Sequence, residues 1–448
     1  MGTGTPLPGP DGYPLPGHPD TGGAMARRYH ARYGSVLPAI DLAASNTPAK
    51  RHPGTEVISL PFPPFAPSAP SGPGTGSPES LGGLLALLNG ITRIDWTGAG
   101  VGAGRPVPSG GGAYPGEVYA ATAFGLCHYL PTVHALEVLS RADLRARAAQ
   151  CLSRPPDRQP ELVLLITARH DSNVARYGPF GHRLQALDSG ALLGQALTLL
   201  ASAGAAPTAH TLFADEPLGR MLGLDPGAES VHAVVASGQP RTTAPSGPLL
   251  DRHSPRSGFE PVPIAPADLA GILDRAAAPV PLDHPAADGP GRPAGRAAAA
   301  DLYCVAGRVT GLAPGSHRRD PGTGELVPVA ADTAPRDLFP PGGPGELAGF
   351  EAACAVLVVG DYESGYARYG DRWYRMLNIR AGILGQRIGL AAAHAGLGAG
   401  LRCDFDTART DLALRAPRGR TALLSALIGP ERGFGTPSQR LVPAGGPR

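Results

Sequence analysis

Cysteine is scarce in this sequence, and its placement excludes two kinds of site. The 448 residues include five cysteines, at positions 127, 151, 304, 354 and 403, and none of them forms a CxxC pair. This scatter argues against a zinc site built on cysteine pairs and against a disulfide framework. We therefore interpret the cysteines as packing residues, and we expect no metal centre and a reducing, cytoplasmic environment.

An excess of charge of one sign is also lacking. Lysine and arginine number 39 against 37 aspartates and glutamates, so the formal net charge is +2. Such a balance provides no basic surface of the kind that binds nucleic acid or an acidic membrane. No apolar run reaches the length of a spanning helix, and residues 1–20 lack the basic start and apolar centre of a signal peptide. We expect neither a nucleic-acid partner nor membrane association.

Glycine and proline, in contrast, are abundant, with 63 and 51 residues, and they occur in clusters. Clusters of this composition are typical of tails and linkers, whereas the apolar fraction of 42% suffices for a core elsewhere. The predicted division is a disordered tail (1–25), an N-terminal segment and linker (26–78), a first domain (79–243), a linker (244–295), a second domain (296–435) and a tail (436–448).

Hydrophobic patterning within the first domain predicts helices and strands together. LGGLLALLNGI is typical of a helix that begins after Pro78. Three short apolar runs are typical of buried strands, and a long helical pattern precedes the last of them. These runs are EVYAATAFGL (117–126), ELVLLITA (161–168) and VHAVVASG (231–238), and the helical pattern is ALLGQALTLLASAG (191–204).

The second half of the chain repeats the first. Residues 175–204 align with residues 367–396, and EVY (117–119) corresponds to DLY (301–303). Without a gap, Arg176, Tyr177, Gly178, Arg183 and Gly190 fall opposite Arg368, Tyr369, Gly370, Arg375 and Gly382. If the ancestral unit was a symmetric homodimer, its fusion gives a pseudo-dimer within one chain. A site at the old interface would then occur twice, and one copy could decay.

The most distinctive motif is RPVPSGGGAYPGEVY, at residues 105–119. Its glycines allow backbone amides to converge on an anion or to approach a flat ligand closely. Arg105 could pair with a phosphate, and Ser109 could donate a further hydrogen bond. The spacing matches neither a Rossmann fingerprint nor a Walker loop. The alternative is a glycine-rich turn ahead of a strand.

This motif resembles the R-x-x-PS-x-G-x-x-x-P-x-E-x-Y segment of SagB-type and McbC-like dehydrogenases, a branch of the FMN-dependent nitroreductase family. The resemblance covers most of residues 26–435. Further similar segments are YHARYG (29–34), HPGTEVISLP (52–61), CHYLPTVHALEVL (127–139), LGLDPGAESVHAVVASG (222–238), GLAPGSHRRDPGTGELVPV (311–329) and residues 369–401. The resemblance implies an α+β, nitroreductase-like fold in two tandem copies, packed as an intrachain pseudo-dimer with FMN at the interface.

The resemblance also implies a reaction. Such dehydrogenases oxidise thiazolines and oxazolines to azoles in ribosomally made peptides, with FMN as the hydride acceptor. A modified precursor peptide would be the substrate, and a cyclodehydratase is a candidate partner enzyme. Two alternatives are a flavin-dependent reductase or desaturase of another small molecule, and a flavin-free scaffold that binds a peptide or partner. The pseudo-dimer could remain monomeric or associate further.

Relatives commonly carry a Lys-Tyr pair where this chain has Arg176-Tyr177 and, in the second half, Arg368-Tyr369. Arginine keeps its proton in proteins, so neither arginine can be the base. A tyrosine beside a fixed cation has a lowered pKa. We therefore expect Tyr177 or Tyr369 to transfer the proton while its arginine supplies charge. The alternative is that both segments are structural turns before a helix.

The second copy of the motif has lost its special residues. Counting back from DLY, Ser109 falls opposite Pro293, Gly110 opposite Ala294 and Arg105 opposite Gly289. We therefore expect one FMN per chain, held mainly by the first half. The predicted cofactor-binding residues are Arg105, Pro108, Ser109, Gly110, Gly111 and Arg241 from the first half, and Gly396, Leu397 and Gly398 at the interface from the second.

Overall fold

The chain folds into two α+β units that share one interface. The computed structural model describes residues 22–34, 48–61, 78–97, 100–240, 247–283, 300–433 and 438–441. Across these ranges, every helix falls short of a bilayer-spanning segment in length or in apolar character.

The first unit is built on a seven-stranded antiparallel sheet in the order β1-β6-β5-β4-β7-β9-β8. Its strands are β1 (Glu56–Ser59), β4 (Gly116–Thr122), β5 (Gly125–Leu130), β6 (Ala135–Ser140), β7 (Leu162–Arg169), β8 (Thr208–His210) and β9 (Glu229–Ser237). Its helices are α2 (Pro78–Asn89), α3 (Arg145–Gln150), α4 (His170–Tyr177), α5 (Gly181–Ser202) and α6 (Asp215–Leu222). Helix α1 (Ala24–Tyr29) packs on the second unit, where the Ala26 N–H donates to Asp371 Oδ1. Helices α2 and α5 cover one face, and α3 and α6 cover the other.

The second unit repeats this plan with six strands in the order β12-β11-β10-β13-β15-β14. The strands are β10 (Asp301–Ala306), β11 (Gly315–Arg319), β12 (Leu326–Ala330), β13 (Cys354–Asp361), β14 (Gly398–Arg402) and β15 (Arg420–Gly429). The helices are α9 (Pro344–Glu351), α10 (Tyr366–Tyr369), α11 (Arg372–His394) and α12 (Thr407–Ala413). Strand for strand, β10, β11, β12, β13, β14 and β15 occupy the places of β4, β5, β6, β7, β8 and β9.

Two further groups of elements connect the units. Helices α7 (Gly247–Asp251) and α8 (Pro266–Ala277) lie between them in the chain, and Leu269, Ile272 and Leu273 of α8 are buried in the core of the second unit. A small antiparallel sheet orders its strands β16-β2-β3. These strands are β2 (Arg93–Thr97), β3 (Gly100–Gly104) and β16 (Ser438–Arg440). The predicted domain boundaries stay a prediction.

Helices α5 and α11 are buried on nearly all sides because they cross between the two sheets. At the crossing, the matched glycines Gly190 and Gly382 meet. A Cβ atom on Gly190 would clash with the carbonyl oxygen of Ile379 and lie 2.9 Å from the Cα of Gly382. Contact between equivalent residues is what an isologous interface requires, so the crossing marks the pseudo-two-fold axis.

The repeated RYG segments adopt the same backbone in both units. Gly178 ends α4 with φ 54° and ψ −148°, and Gly370 ends α10 with φ 53° and ψ −147°. Residues other than glycine rarely adopt this conformation. The match supports the duplication inferred from the sequence.

One predicted strand is two strands in the structure. Residues 117–126 turn back on themselves, so that β4 ends at Thr122 and β5 begins at Gly125. Gly125 has φ 141°, and a side chain there would clash with the carbonyl oxygen of Ser140. The apolar run continues through the turn because both strands are buried, which concealed the break from the sequence pattern.

Candidate functional site

A cavity of about 120 Å³ lies between the two units beside the loop at residues 108–111. The first unit contributes that loop and one face of α5, and the second contributes the end of β14 and its continuation. Residues that line the cavity include Ser109, Gly110, Gly111, Leu184, Leu187, Asp188 and Ala191 from the first unit, and Gly382, Leu401, Arg402, Cys403 and Leu424 from the second. The cavity therefore lies at the pseudo-dimer interface, where the sequence predicts the ligand.

The loop itself is a tight turn with two left-handed glycines in succession. Gly111 has φ 61° and Gly112 has φ 69°. A side chain on Gly111 would clash with the hydroxyl of Tyr177 and lie 2.9 Å from Nη1 of Arg176. Glycine is required here because the loop packs directly on the RYG segment of its own half.

Asp188, a residue that the sequence analysis did not identify, anchors the loop. The Ser109 hydroxyl donates to Asp188 Oδ2 at 2.7 Å, and the Gly110 N–H donates to Oδ1 at 3.1 Å. Burial raises the pKa of Asp188 to about 6, although the Ser109 and Gly110 bonds oppose the shift. The two donors predicted for a phosphate are thus engaged by a carboxylate. The available signal was a lone acidic residue within an otherwise apolar helical stretch.

Two arginines fix the start of the loop. Arg105 Nη1 donates to Asn89 Oδ1 at 2.8 Å, and its guanidinium lies 4.5 Å from the ring centre of Tyr114. Arg252, which is buried, donates from Nε to the carbonyl oxygen of Pro106 at 2.6 Å. Arg105 is not part of the cavity lining, so a phosphate contact would require its side chain to leave Asn89. Its role in phosphate binding stays a prediction.

Arg176 and Tyr177 lie beside the loop. Arg176 Nη1 donates to the carbonyl oxygen of Gly111 at 2.6 Å. Burial raises the pKa of Tyr177, and Arg176 offsets only part of this effect. The net direction is opposite to the expected lowering, so the phenol keeps its proton at neutral pH. In this environment it is suited to donate a hydrogen bond or a proton.

The second-half pair, Arg368 and Tyr369, lies elsewhere. Tyr369 is buried and stacks on Trp373 with ring centres 5.6 Å apart. Burial raises its pKa as well. Neither residue lines the cavity, and Arg368 is exposed. The structure therefore brings only the first of the two predicted pairs to the cavity loop.

The predicted interface glycines lie a few residues away from the cavity. Gly396 follows the end of α11, and a side chain on Gly398 would lie 2.7 Å from Pro255. Leu397 packs against the core of the second unit. In this segment of the second unit, the residues that line the cavity begin at Leu401. Arg241 and the degenerate loop copy at residues 289–296 lie outside the described residues.

The lining combines apolar side chains with exposed backbone, which suits a flat ring system held between two surfaces. Leucines from both units and Ala191 supply the apolar part. For a phosphate, Arg402 is the cation in the described lining, and its Nε donates to Asp404 Oδ1 at 2.8 Å. The donor set therefore fits a flavin ring better than it fits a phosphate.

Comparison with known proteins identifies the fold. The sequence matches no protein-family model and no curated protein. A protein of Anabaena variabilis described as a nitroreductase aligns with a TM-score of 0.76 at 21% identity, over 91% of this chain and 99% of its own. The chain thus has a nitroreductase-like α+β fold in two tandem copies. At this identity the likeness shows the fold and not the reaction.

Two further structures match about half of the chain. One, described as a nitroreductase from Ralstonia eutropha, is 24% identical over 46% of this chain and 98% of its own, with a TM-score of 0.33. The other is the Escherichia coli microcin synthetase McbBCD complex with truncated pro-MccB17 bound, 19% identical over 50% of this chain and 94% of its own, with a TM-score of 0.32. At these scores neither similarity carries an argument about this chain.

Proposed function

We propose that this chain is an FMN-dependent oxidoreductase with one flavin in the cavity between its two units. The main observation in support of this proposal is the position of the PSGG loop, which borders an interface cavity lined by both halves. The sequence resemblance to FMN-dependent dehydrogenases implies a flavin at the interface of two such units. FMN, when bound, would supply the hydride transfer.

The residues present would hold the ring rather than wrap the phosphate. Leu184, Leu187 and Leu424 would contact its faces, and the glycines at 110 and 111 would allow the loop backbone to approach closely. Tyr177 and Arg176 lie behind the loop and fix its position. Phosphate binding by Arg402 requires it to share its charge with Asp404.

The substrate that the sequence resemblance favours is an azoline in a modified precursor peptide, with a cyclodehydratase as a candidate partner. Oxidation of an azoline removes a hydride to the flavin and a ring proton to a base. Among the lining residues in the described part of the chain, Asp188 is the carboxylate. With a pKa of about 6, it is ionised at neutral pH and placed to accept that proton. Tyr177, which keeps its own proton, would act from behind the loop by holding the backbone at Gly111 in position.

Flavin content tests the proposal directly. Purified chain loaded with FMN should show a flavin absorbance band with one flavin per chain, and it should reduce that flavin on addition of an azoline-containing peptide. A ratio of two flavins per chain would contradict the single-site arrangement. A flavin-loaded chain that leaves azoline peptides unchanged but is reduced by another substrate would keep the oxidoreductase and remove the azoline assignment.

A flavin-free scaffold is the second candidate function. The specific observation in its favour is that Ser109 and the Gly110 amide already bind Asp188, while Arg105 binds Asn89. A colourless chain that cannot be loaded with FMN would select this alternative.

A further inference from the structure

A second polar cluster, none of whose members lines the cavity, lies on the outer face of the first sheet. Three neighbouring strands place Glu117, His128 and Glu137 side by side there. His128 is fully buried between the two carboxylates: its Nδ1 lies 3.0 Å from Glu137 Oε2, and its Nε2 lies 3.1 Å from Glu117 Oε2. The cavity loop uses none of these residues, so the proposed flavin site does not explain them.

The segment before β1 brings a second imidazole onto this group. The backbone N–H of His52 donates to both Glu137 oxygens at 3.1 Å, and its ring centre lies 5.1 Å from that of His128. His52 Nε2 is buried and makes no hydrogen bond with any group in the described part of the chain. A buried polar atom without a partner is costly, and a bound ion is one of the partners that satisfy such atoms.

We propose that His52, His128 and Glu137 form a binding site for a divalent transition-metal ion of the Zn²⁺ type. One ligand atom from each of the three lies within 4.8 Å of the others. Two imidazoles and one carboxylate, with a fourth position left for water, are an established zinc ligand set. The proposal is independent of the flavin function.

The distances define what must move when the ion binds. A tetrahedral site with bonds of about 2.1 Å needs donor atoms about 3.4 Å apart. The separation of 3.0 Å between His128 Nδ1 and Glu137 Oε2 must therefore widen by about 0.4 Å, and a separation at the 4.8 Å limit must close by roughly 1.4 Å. His52 can make this shift because it is partly exposed and precedes β1 on an irregular segment.

The surrounding groups are arranged as partners of metal ligands usually are. With Nδ1 on the ion, His128 keeps its Nε2–H for Glu117, and a carboxylate in that position orients the ring and raises its basicity. The backbone N–H of His52 bonds both oxygens of Glu137 and so holds that carboxylate beside the two rings.

The nearby lysine and arginine side chains do not occupy the proposed metal position between His52, His128 and Glu137. Lys50, the chain's single lysine, is paired with Glu229 and hydrogen-bonded to Tyr119, and Arg169 lies 4.0 Å from Glu117. Arg51 Nε donates to Glu137 Oε1 at 2.9 Å through an exposed side chain. Among these cations, only the exposed Arg51 competes with an arriving ion for Glu137, and Glu117 and Glu229 keep their own partners.

The second unit does not have this cluster at the equivalent strand positions. Arg318 stands in the place of His128, and Val327 in the place of Glu137. Asp301, which corresponds to Glu117, is held by Arg420 at 2.6 Å and Arg318 at 3.4 Å. The proposal is therefore one metal ion per chain, whereas the cysteine pattern led us to expect none.

Zinc binding to the untagged full-length chain tests the proposal. After treatment with a chelator and its removal, calorimetric titration with zinc chloride should show one tight equivalent. His52→Ala should weaken binding by at least about 10-fold, because it removes one ligand. The His52 ring makes no hydrogen bond with the described groups, so its loss should leave the fold intact. His394→Ala, on an exposed histidine, is the matched control and should bind like the wild type.

Cobalt provides an independent readout, because Co²⁺ in a tetrahedral protein site gives intense visible bands, whereas octahedral Co²⁺ in water absorbs only weakly. The bands should form in the wild type and in His394→Ala and be lost in His52→Ala. His52→Gln, which keeps a similar volume without an imidazole, replaces the alanine variant if that variant does not fold. Absence of a tight zinc equivalent in the wild type, or equal affinity in the wild type and the His52 variants, would overturn the proposal.

Discussion

The two units have the same backbone plan, but they place opposite charges at matched positions. Asp188 of α5 anchors the cavity loop, whereas the matched position of α11 holds the buried Arg380. Arg169 stands opposite Glu229 in the register of β7 and β9, and at the corresponding positions of β13 and β15 the order is reversed, with Asp361 opposite Arg420. Duplication has therefore preserved the packing while the polar chemistry of the two units has diverged.

This difference bears on how many ligands the chain binds. A loop that needs a carboxylate beneath it cannot be anchored in the same way above an arginine. Residues 289–296, the second copy of the loop, lie outside the described residues. The difference between Asp188 and Arg380 is a separate reason to expect one flavin per chain. The comparison can be tested at two pairs of matched positions and at Asp188.

The largest expected effect separates the two tyrosines. Tyr177→Phe should lower turnover of an azoline-containing peptide by about 100-fold, because its hydroxyl packs against the cavity loop and a small shift of that loop misplaces the reacting groups. Tyr369→Phe should stay within a few-fold of the wild type, since its ring is buried against Trp373. Turnover would be measured at equal flavin content, read from the absorbance. Equal losses in the two variants would show that position in the fold does not distinguish them.

A smaller effect should be shared equally by the two units. Gly190→Ala and Gly382→Ala should each destabilise the chain by about 2–3 kcal/mol, because a methyl group at either glycine clashes with the backbone of the other helix. Denaturant unfolding would measure the loss. Gly271→Ala in α8, where the structure leaves open space, is the control and should be stabilising by about 0.5–1 kcal/mol. Clearly unequal losses would argue against a symmetric crossing.

The smallest effect concerns pH. The pKa of Asp188 is about 6 in the folded chain, against an ordinary value of 3.8. The folded state therefore binds a proton more readily than the unfolded state, and the stabilising contribution is lost as the pH rises through 6. The free energy of unfolding of the wild type should fall between pH 4 and pH 7 as Asp188 ionises. Allowing for partial exposure of this side chain, the fall should be smaller by about 1–2 kcal/mol in Asp188→Asn.

Asp283 is the control for that measurement. Burial raises its pKa to about 6 as well, and it accepts backbone hydrogen bonds from Thr211 and Leu212. Its share of the pH dependence should persist in Asp188→Asn and disappear in Asp283→Asn. An unchanged pH profile in Asp188→Asn would mean that this carboxylate is not held in a perturbed state.

The sequence predicted those features that depend on local pattern or on the repeat. The matched glycines Gly190 and Gly382, identified by alignment alone, meet at the helix crossing. The PSGG loop, identified by motif, borders the interface cavity. Both features could be identified from the sequence because a repeat and a motif are visible within the chain itself.

The rest depended on contacts between distant segments. Asp188 lies 79 positions beyond Ser109, and His52 lies 85 positions before Glu137, so no spacing rule connects either pair. Tyr177 was expected to have a lowered pKa because its arginine neighbour is visible in the sequence, whereas the burial that outweighs this neighbour is not. Tertiary burial decided each of these outcomes.

The helix crossing also carries one bond that cannot be symmetric. Gln386 Nε2 donates to Gln195 Oε1 at 2.8 Å, and Gln195 Nε2 donates to the carbonyl oxygen of Leu87, whereas Gln386 Oε1 has no partner among the described groups. In a homodimer either of the two identical amides could be the donor, and the choice would be arbitrary. In a fused chain the two glutamines are different residues, so evolution can fix Gln386 as the donor and Gln195 as the acceptor. This amide pair therefore makes the two halves of the pseudo-dimer chemically distinct at their interface.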